Sequence, residues 1–333
     1  MSTIKDVAIK SKTSVGTVSR YLNGYILKES NRIKIEDAIS ELNFTLNPIA
    51  RGLKTNKTNT IGVLIPGLSN VFSLQVISGM EKTFEEYGYN IIVSNSSGNV
   101  EKEKEKLRLF KANRVDGIIL MPVSDLGDHI IAAIGRDIPL VLIDRLVENI
   151  KLDGVISDNV KGSYNAVEHI IMMGHSRIGV IAGQSNVYTS SERLKGYSMA
   201  LKDYKIETSE DLIVYTDFDK LGGENAIEIL MALKEPPTAI FASNYYTTLG
   251  AVKALNKMGI KIGEDISLFG YDQSELNEVL NPPLSVVVQP MDEIGHKAAE
   301  LLIRRMKNDQ IGFPTIINLK NQLVLTMSIK KIN

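Results

Sequence analysis

Hydrophobic and polar positions follow two different periods along this chain. In the first 45 residues, apolar side chains recur three and four residues apart in three short stretches, the last from about Ser30 to Leu42. From Thr60 onward, short runs rich in Val, Ile and Leu alternate with longer stretches of helical period. This pattern predicts a small all-α head joined to a larger α/β part.

The short apolar runs of the α/β part form two series. Each run is separated from the next by a segment of helical period, an arrangement typical of buried parallel strands in a doubly wound sheet. We therefore expect two such sheets, one from each series. The first series comprises residues 61–65, 91–94, 117–121 and 139–143, and the second comprises residues 178–182, 212–215, 239–242 and 266–270.

The head begins with two short helices that carry their own start signals. Thr3 and Asp6 have the spacing of a capping box, and Ser14 precedes a second helix whose apolar Val18 and Leu22 share one side. Two short capped helices joined by a tight turn fit the major groove of DNA, where the second helix reads the base edges. The head residues expected to contact DNA are Thr3, Ser14, Val15, Gly16, Thr17, Ser19, Arg20 and Asn23.

Charge is distributed unevenly between the two parts. Residues 1–60 contain ten Lys or Arg and five Asp or Glu, a net charge of +5, whereas the whole chain has a net charge of −1. The rest of the chain therefore carries −6. A basic head on an acidic body directs contacts with phosphate groups to the head, which agrees with DNA binding.

Composition excludes several other classes of protein. The 333 residues include no Cys, which excludes disulfides, thiol catalysis and Cys-ligated zinc. The four His are scattered, and no phosphate-binding loop, His-Glu-x-x-His or Gly-x-Ser-x-Gly motif is present. Because the chain has no signal-peptide-like start and no run of about 18 apolar residues, we expect a cytoplasmic protein without a membrane span. We also expect no cofactor, no metal site and no enzymatic activity.

Motifs distributed over nearly the whole chain point to one known family. They are residues 4–8 (IKDVA), 14–20 (SVGTVSR), 22–24 (LNG), 173–178 (MGHSRI), 193–197 (RLKGY), 270–272 (GYD) and 282–290 (PPLSVVVQP). Together they resemble the lactose- and galactose-repressor (LacI/GalR) family of bacterial transcription regulators. The resemblance implies a mixed fold, in which an all-α helix-turn-helix head and a hinge helix are joined to a two-lobed α/β core like the periplasmic sugar-binding proteins.

The resemblance also implies where the chain divides. It places the helix-turn-helix DNA-binding domain in residues 1–46 and the hinge helix with its linker in residues 47–59. The N-terminal lobe of the core then comprises residues 60–160 with 290–322, and the C-terminal lobe comprises residues 161–289 with 323–333. The chain is expected to cross between the lobes three times.

Residues 47–54 carry the signals of a short helix. Asn47 is a suitable N-cap and Pro48 suits the first helical position, but a length of about two turns predicts a helix that forms only when docked. In the resembling family such a helix pairs with that of the second subunit in the minor groove. The resemblance places four residues there: Ala50 at the helix contact, Leu53 as a wedge between base pairs, and Arg51 and Lys54 at the flanking phosphates.

The loops after the strands are the expected binding site for a small effector. Ligands of open α/β lobes bind outside the carboxyl ends of the strands, where Arg, Asn and Asp side chains can hold vicinal hydroxyls. We therefore expect a sugar or a sugar derivative. The residues expected at the site are Ser69, Phe72, Asp144, Asp158, Arg193, Asn244 and Asp272. The sequence Asn244-Tyr245-Tyr246 departs from the Asn-Asp that is usual in the resembling family.

The sequence thus predicts a transcription regulator, a repressor, that binds a palindromic double-stranded DNA operator as a homodimer under the control of a small sugar-like effector. One alternative is a global catabolite regulator of the same family, whose corepressor is a phosphorylated carrier protein (a phosphocarrier protein). A second alternative, of a different class, is a sugar receptor that does not bind DNA. Such a receptor would share the core but lack the head.

Overall fold

The computed structural model describes residues 2–22, 24–45, 57–272 and 276–332. The chain forms two compact units, Met1–Asn59 and Thr60–Asn333. The first unit is the helical head and the second is the α/β core.

The head contains, in its described residues, the helices α1 (Ile4–Lys10), α2 (Val15–Leu22) and α3 (Glu29–Glu41). Thr3 caps α1 in a capping box: its hydroxyl accepts the Asp6 N–H at 3.3 Å, and the Asp6 carboxylate accepts the Thr3 N–H at 2.8 Å. At the start of α2, the Ser14 hydroxyl accepts the Thr17 N–H at 3.1 Å. The three helices predicted before residue 43 and the caps predicted at Thr3 and Ser14 are therefore present, and the predicted hinge helix of residues 47–54 lies outside the described residues. The buried core of the head is formed by Val7, Ala8, Val18, Ile35 and Ala38.

The N-terminal lobe of the core consists of β1 (Thr60–Ile65), α4 (Val71–Glu86), β2 (Asn90–Asn95), α5 (Val100–Ala112), β3 (Gly117–Leu120), α6 (Asp128–Ile134), β4 (Leu140–Ile143), β5 (Asp153–Ser157), α12 (Met291–Met306) and β11 (Ile316–Leu319). Its strands form a parallel sheet in the order β11-β5-β4-β3-β1-β2. Helices α4 and α12 pack on one face of this sheet, and α5 and α6 pack on the other.

The C-terminal lobe consists of α7 (Asn159–Met172), β6 (Ile178–Gly183), α8 (Tyr188–Asp203), a 3-10 turn (Glu210–Leu212), β7 (Ile213–Thr216), α9 (Lys220–Met231), β8 (Ala239–Ala242), α10 (Tyr245–Lys257), β9 (Ser267–Tyr271), α11 (Leu276–Val279), β10 (Ser285–Val288) and β12 (Gln322–Val324). The strand order is β12-β10-β9-β8-β6-β7, with only the β10–β12 pair antiparallel among the described pairs. Helices α7 and α8 cover one face, and α9 and α10 cover the other.

The chain crosses between the lobes at three places. The first crossing joins β5 to α7, the second joins β10 to α12, and the third joins β11 to β12. Because β5 and β11 are neighbours at one edge of the first sheet, and β10 and β12 are neighbours at one edge of the second, all three crossings lie at the same edge of the core. The opposite edge, where β2 and β7 lie, is joined by no crossing in the described residues.

The fold class predicted from the sequence is confirmed, although the two predicted series of strands were incomplete. They omitted β5, β10, β11 and β12. Strand β5 begins with Asp153, a fully buried carboxylate that accepts hydrogen bonds of 2.6 and 2.9 Å from Arg305, and this charge interrupts the apolar pattern. Strand β2 was expected to be buried, but it lies at the sheet edge and leaves Ile92 49% exposed. None of the described helices is long and apolar enough to cross a membrane.

Candidate functional site

The residues predicted to face DNA lie at the start of α1 and on the exposed side of α2. Ser14, Val15, Gly16 and Arg20 are exposed, so α2 presents small side chains and one guanidinium to solvent. Thr17 is half-buried, and its hydroxyl lies 2.8 Å from that of Ser14. Thr3 is exposed, and Ser19 is half-buried. The predicted contact residues Asn23, Ala50, Arg51, Leu53 and Lys54 lie outside the described residues.

The carboxyl ends of the two sheets in the core face each other across a cleft. A cavity of about 640 Å³ lies in this cleft between the strand-end loops of the two lobes. Its polar and aromatic lining comes from Ser124, Asp125 and Arg145 of the N-terminal lobe and from Gln184, Asp217 and Phe218 of the C-terminal lobe.

Arg193, on the second turn of α8, is buried at the base of the cleft with 4% of its surface exposed. Its Nε donates to the Asn159 side-chain oxygen at 2.8 Å, and its Nη1 donates to the Ser243 carbonyl at 2.8 Å. The guanidinium lies over the ring of Tyr271, 3.8 Å from its centroid, in a cation–π contact. No hydrogen bond of Nη2 is found among the described residues, so this nitrogen is the part of the fork that a ligand could engage.

Asp144 and Asp272 occupy equivalent positions in the two lobes. Each follows a strand of its sheet directly, and each has a left-handed backbone, with φ of 66° and 64°. The amide of Asp144 donates to the Val155 carbonyl at 3.0 Å, and that of Asp272 donates to the Val287 carbonyl at 2.7 Å. Non-glycine residues seldom adopt this conformation, which is concentrated at functional sites. The two carboxylates are thus held at matching points of the cleft.

Burial and charge together set the ionisation of Asp272. Burial raises the pKa of this carboxyl to about 6, because the nearby charge of Arg193 and a hydrogen bond from Gln289 only partly offset the loss of water, and Asp144 opposes ionisation further. The Gln289 amide donates to Asp272 Oδ1 at 2.8 Å. Asp144 is 7% exposed and bonds the Arg145 Nε at 3.2 Å. The charges of Arg193 and Asp144 therefore both act on the buried carboxyl of Asp272.

The other predicted effector residues have structural partners of their own. The side chain of Asp158 caps α7 by accepting the Lys161 N–H, and that of Asn244 caps α10 by accepting the Tyr246 and Thr247 N–H groups. Two more predicted positions belong to the N-terminal lobe. The ring of Phe72 packs in the apolar core under β1, and Ser69 contributes its carbonyl oxygen, which accepts a bond from the Tyr246 hydroxyl.

Several cleft residues were not among the residues predicted to bind the effector. Arg145, Gln184, Asp217 and Phe218 line the cavity, and Gln289 lies on the second crossing between the lobes. All five directly follow a strand or lie two residues beyond one, so the strand-end rule could have found them had every strand-end loop been examined. Gln289 directly follows β10, a strand that the sequence prediction omitted.

The arrangement can hold a polar ligand through several hydrogen bonds at once. Asp144, Asp272 and Gln289 offer acceptors, and Arg193 and Arg145 offer donors, which together suit a ring of hydroxyl groups. Each hydroxyl can donate to a carboxylate and accept from a guanidinium at the same time. The site therefore fits a small, uncharged, hydroxyl-rich ligand.

Replacing Asp272 with Asn should change how the stability of the core depends on pH. Because the folded-state pKa of about 6 lies above the ordinary value of 3.8, the buried charge destabilises the fold fully above pH 6, and this cost disappears as the pH falls to about 4. At pH 8 the free energy of unfolding of Asp272→Asn should therefore exceed that of the parent by up to about 3 kcal/mol, and at pH 4 the two free energies should be equal. Urea unfolding at both pH values measures this difference. A variant less stable than the parent at pH 8 would contradict this.

Comparison with known families and proteins agrees with the two-part architecture. Residues 3–47 match the family model described as bacterial regulatory proteins, lacI family. Residues 58–321 match the model described as periplasmic binding proteins and sugar binding domain of LacI family. Among curated proteins, the transcriptional repressor PurR of Vibrio atlanticus is 35% identical over 100% of both chains. The ribose operon repressor of Haemophilus influenzae is 34% identical over 95% of this chain and 96% of its own.

Solved structures of full-length regulators also superpose on this chain. The lac repressor dimer bound to operator and the anti-inducer ONPF matches with a TM-score of 0.89 at 26% identity, over 99% of each chain. The complex of the transcriptional regulator CelR with cellobiose matches with a TM-score of 0.74 at 27% identity, over 98% of this chain and 100% of that chain. With a helix-turn-helix head and a two-lobed core that both match family models, this chain belongs to the LacI family of bacterial regulators and is a DNA-binding transcriptional repressor.

Proposed function

We propose that this protein is a homodimeric repressor whose binding to a palindromic operator is controlled by a monosaccharide held between the two lobes. The observation that carries the proposal is the meeting of Asp144, Arg193 and Asp272 in one cleft, with each lobe contributing a carboxylate. An effector can shift the arrangement of the lobes only through contacts that differ between the two arrangements. A ligand that bonds both carboxylates has such contacts, because they move apart when the lobes open.

The polar character of the site favours a sugar over a nucleobase. A purine base is best held between two apolar or aromatic surfaces. Phe72 packs in the core of its lobe and Tyr271 is covered by Arg193, so Phe218 is the aromatic residue left in the cavity lining, and one ring cannot cover both faces of a base. Relatives of this chain include proteins named PurR and ribose operon repressor. We infer that the ligand is a sugar and not a purine base, and we take D-ribose as the first candidate.

D-ribose should therefore raise the melting temperature of the protein, and adenine and guanine should not. Arg193→Lys should weaken ribose binding at least about tenfold, because an ammonium cannot reproduce the planar fork that spans Asn159, Ser243 and the ligand. Lys195→Arg makes the converse change at an exposed position of the same helix and should leave binding unchanged. Stabilisation by a purine base, without a response to any pentose or hexose, would contradict the sugar assignment.

The division of the chain proposed for this function follows its sequence resemblance. Residues 1–46 bind the major groove, residues 47–59 form the hinge, and the two lobes bind the effector and the second subunit. The DNA contacts proposed in α2 are those of its exposed side, with Arg20 as the main polar contact to bases.

Arg20→Ala should weaken operator binding by about 1 to 3 kcal/mol if its guanidinium bonds a guanine edge. The loss should be concentrated at one base pair of each half-site. A titration of base-substituted operators checks this, with Lys12→Ala in the preceding turn as a control for phosphate contacts. Equal loss at every operator position would show that Arg20 only contacts phosphate.

A homodimer is supported by apolar residues exposed along one edge of the core. In the N-terminal lobe these are Leu74 on α4 and Ile92 and Val93 on β2, and in the C-terminal lobe they are Tyr215 on β7 with Leu221 and Ile229 on α9. Apolar surface spread over both lobes on the edge opposite the crossings is typical of a subunit interface. A palindromic operator also needs two heads.

The protein should sediment as a dimer and not as a tetramer at micromolar concentration. Ile92→Asp should weaken dimerisation about 30-fold or more, because it places a charge in the middle of the apolar edge. Met172→Asp makes the same change at an exposed apolar residue on α7, away from this edge, and should have no effect on the dimer. A monomeric parent protein would refute the proposed assembly.

A further inference from the structure

A side-chain hydrogen bond between Tyr246 and Ser69 joins the two lobes across the mouth of the cleft. The hydroxyl of Tyr246 donates to the carbonyl oxygen of Ser69 at 2.5 Å, although the two residues are 177 positions apart in the chain. Ser69 lies in the loop between β1 and α4 of the N-terminal lobe, and Tyr246 lies in the first turn of α10 in the C-terminal lobe. The bond can exist only while the two lobes are close together.

This bond is sensitive to lobe opening because it lies far from the edge where the lobes are joined. The crossings that join the lobes leave from β5, β10, β11 and β12, at one edge of both sheets. Strand β1 is three strands away from β5, and β8, which precedes Tyr246, is two strands away from β10. At about 4.8 Å per strand, the bond lies roughly 10 to 15 Å from the edge about which the lobes must turn. A small rotation there separates Tyr246 from Ser69 by several ångströms.

The bond also closes one particular side of the cleft. Helix α4 begins at Val71, two residues after Ser69, and helix α10 begins at Tyr245, so the bond lies on the side of the cleft where these two helices start. Elsewhere in the cleft, the carboxylate of Asp125 in the N-terminal lobe contacts the backbone N–H of Tyr188 at the start of α8, which is a second contact between the lobes. The cavity of about 640 Å³ is lined by Asp125 and by Val187, the residue before Tyr188.

The surroundings of Tyr246 hold its side chain in position for this contact. Its ring packs edge-to-face against that of Tyr245, with centroids 5.2 Å apart and an interplanar angle of 73°. Its side chain is half-buried, and its own N–H bonds the Asn244 cap at 2.9 Å. The adjacent Tyr245 hydroxyl, by contrast, has no hydrogen-bond partner among the described residues. Two neighbouring tyrosines thus differ in whether they join the lobes.

We propose that Tyr246 is a latch that holds the effector cleft closed and so determines how long an effector stays bound. The role of this latch in effector release rests on the proposed function, in which a sugar binds in the cleft. The latch acts on lobe opening itself, so it should be detectable with no ligand present. Tyr246 is thus a positioning residue that does not need to touch the effector.

The kinetic test compares Tyr246→Phe with Tyr245→Phe, because each variant removes one hydroxyl from the same pair of rings. Stopped-flow measurements with D-ribose should show that Tyr246→Phe raises the dissociation rate about threefold to tenfold, the effect expected from one lost hydrogen bond. The association rate should not fall, because loss of the latch makes the open arrangement that admits the ligand more populated. Tyr245→Phe should release ribose at the rate of the parent.

The second test measures lobe separation in the absence of ligand. Because the chain has no Cys, Lys102→Cys and Lys220→Cys place two fluorophores specifically, at exposed residues of α5 and α9 near the edge opposite the crossings. Labelled chains are mixed with an excess of unlabelled chains, so that energy transfer is measured within one subunit. Tyr246→Phe should lower the mean transfer efficiency, and Tyr245→Phe should leave it unchanged.

The outcomes of these two tests separate the latch from the sugar site. A lower transfer efficiency only in Tyr246→Phe supports the latch, even if the parent binds no ribose, in which case the sugar assignment alone fails. Unchanged transfer efficiency and unchanged ribose release in Tyr246→Phe overturn the latch. Equal changes in the Tyr245 and Tyr246 variants also overturn it, because the effect then comes from packing of the rings and not from the bond to Ser69.

Discussion

The two lobes of the core are joined by three chain crossings that lie side by side. A buried hydrogen-bond network fixes the positions of these crossings relative to one another. Asn159, on the first crossing, accepts from Arg193 and from the Tyr271 hydroxyl and donates to the Ser157 carbonyl. The Ser157 hydroxyl donates to the side chain of Gln289 on the second crossing. Asn321, on the third, donates to the Asp158 carbonyl and to the Tyr271 hydroxyl. Each crossing is therefore bonded, directly or through one side chain, to another.

The same network contains the groups proposed to bind the effector, which links ligand binding to the arrangement of the lobes. Arg193 and Asp272 are members of the network and also face the cleft. Burial of the Asp272 charge is only partly offset by Arg193 and Gln289, as the raised pKa of this carboxyl shows. A hydroxyl donor from a ligand would supply part of what is lacking. The free protein thus holds an incompletely satisfied site, and binding energy is available for holding the lobes in one arrangement.

Sequence reasoning predicted the elements whose signals are local and missed those that depend on distant contacts. Capping at Thr3 and Ser14 and the main parallel strands could be recognised from neighbouring residues alone. Strand β5 was missed because the buried charge of Asp153 is compensated by an ion pair with Arg305, which lies 152 residues away in the chain. The strand-end rule and the family resemblance together predicted Asp144, Arg193 and Asp272 as effector contacts. The strand-end rule could not distinguish them from Asp158 and Asn244, whose side chains cap helices, because both kinds of residue follow strands.

Strand β1 is a short, rigid connection between the cleft and the first residue of the core, which bears on how an effector could control DNA binding. Strand β1 begins at Thr60, where the core starts, and ends at Ile65, just before the loop that carries Ser69. It spans roughly 20 Å and its residues after Thr60 are fully buried. Such a strand cannot bend independently of its sheet, because its neighbours β2 and β3 hold it in register on both sides. Any rotation of the N-terminal lobe at the cleft must therefore displace the point where the linker to the head leaves the core. In the proposed homodimer, such a rotation in both subunits would change the spacing of the two linkers, on which binding to the two proposed operator half-sites would depend.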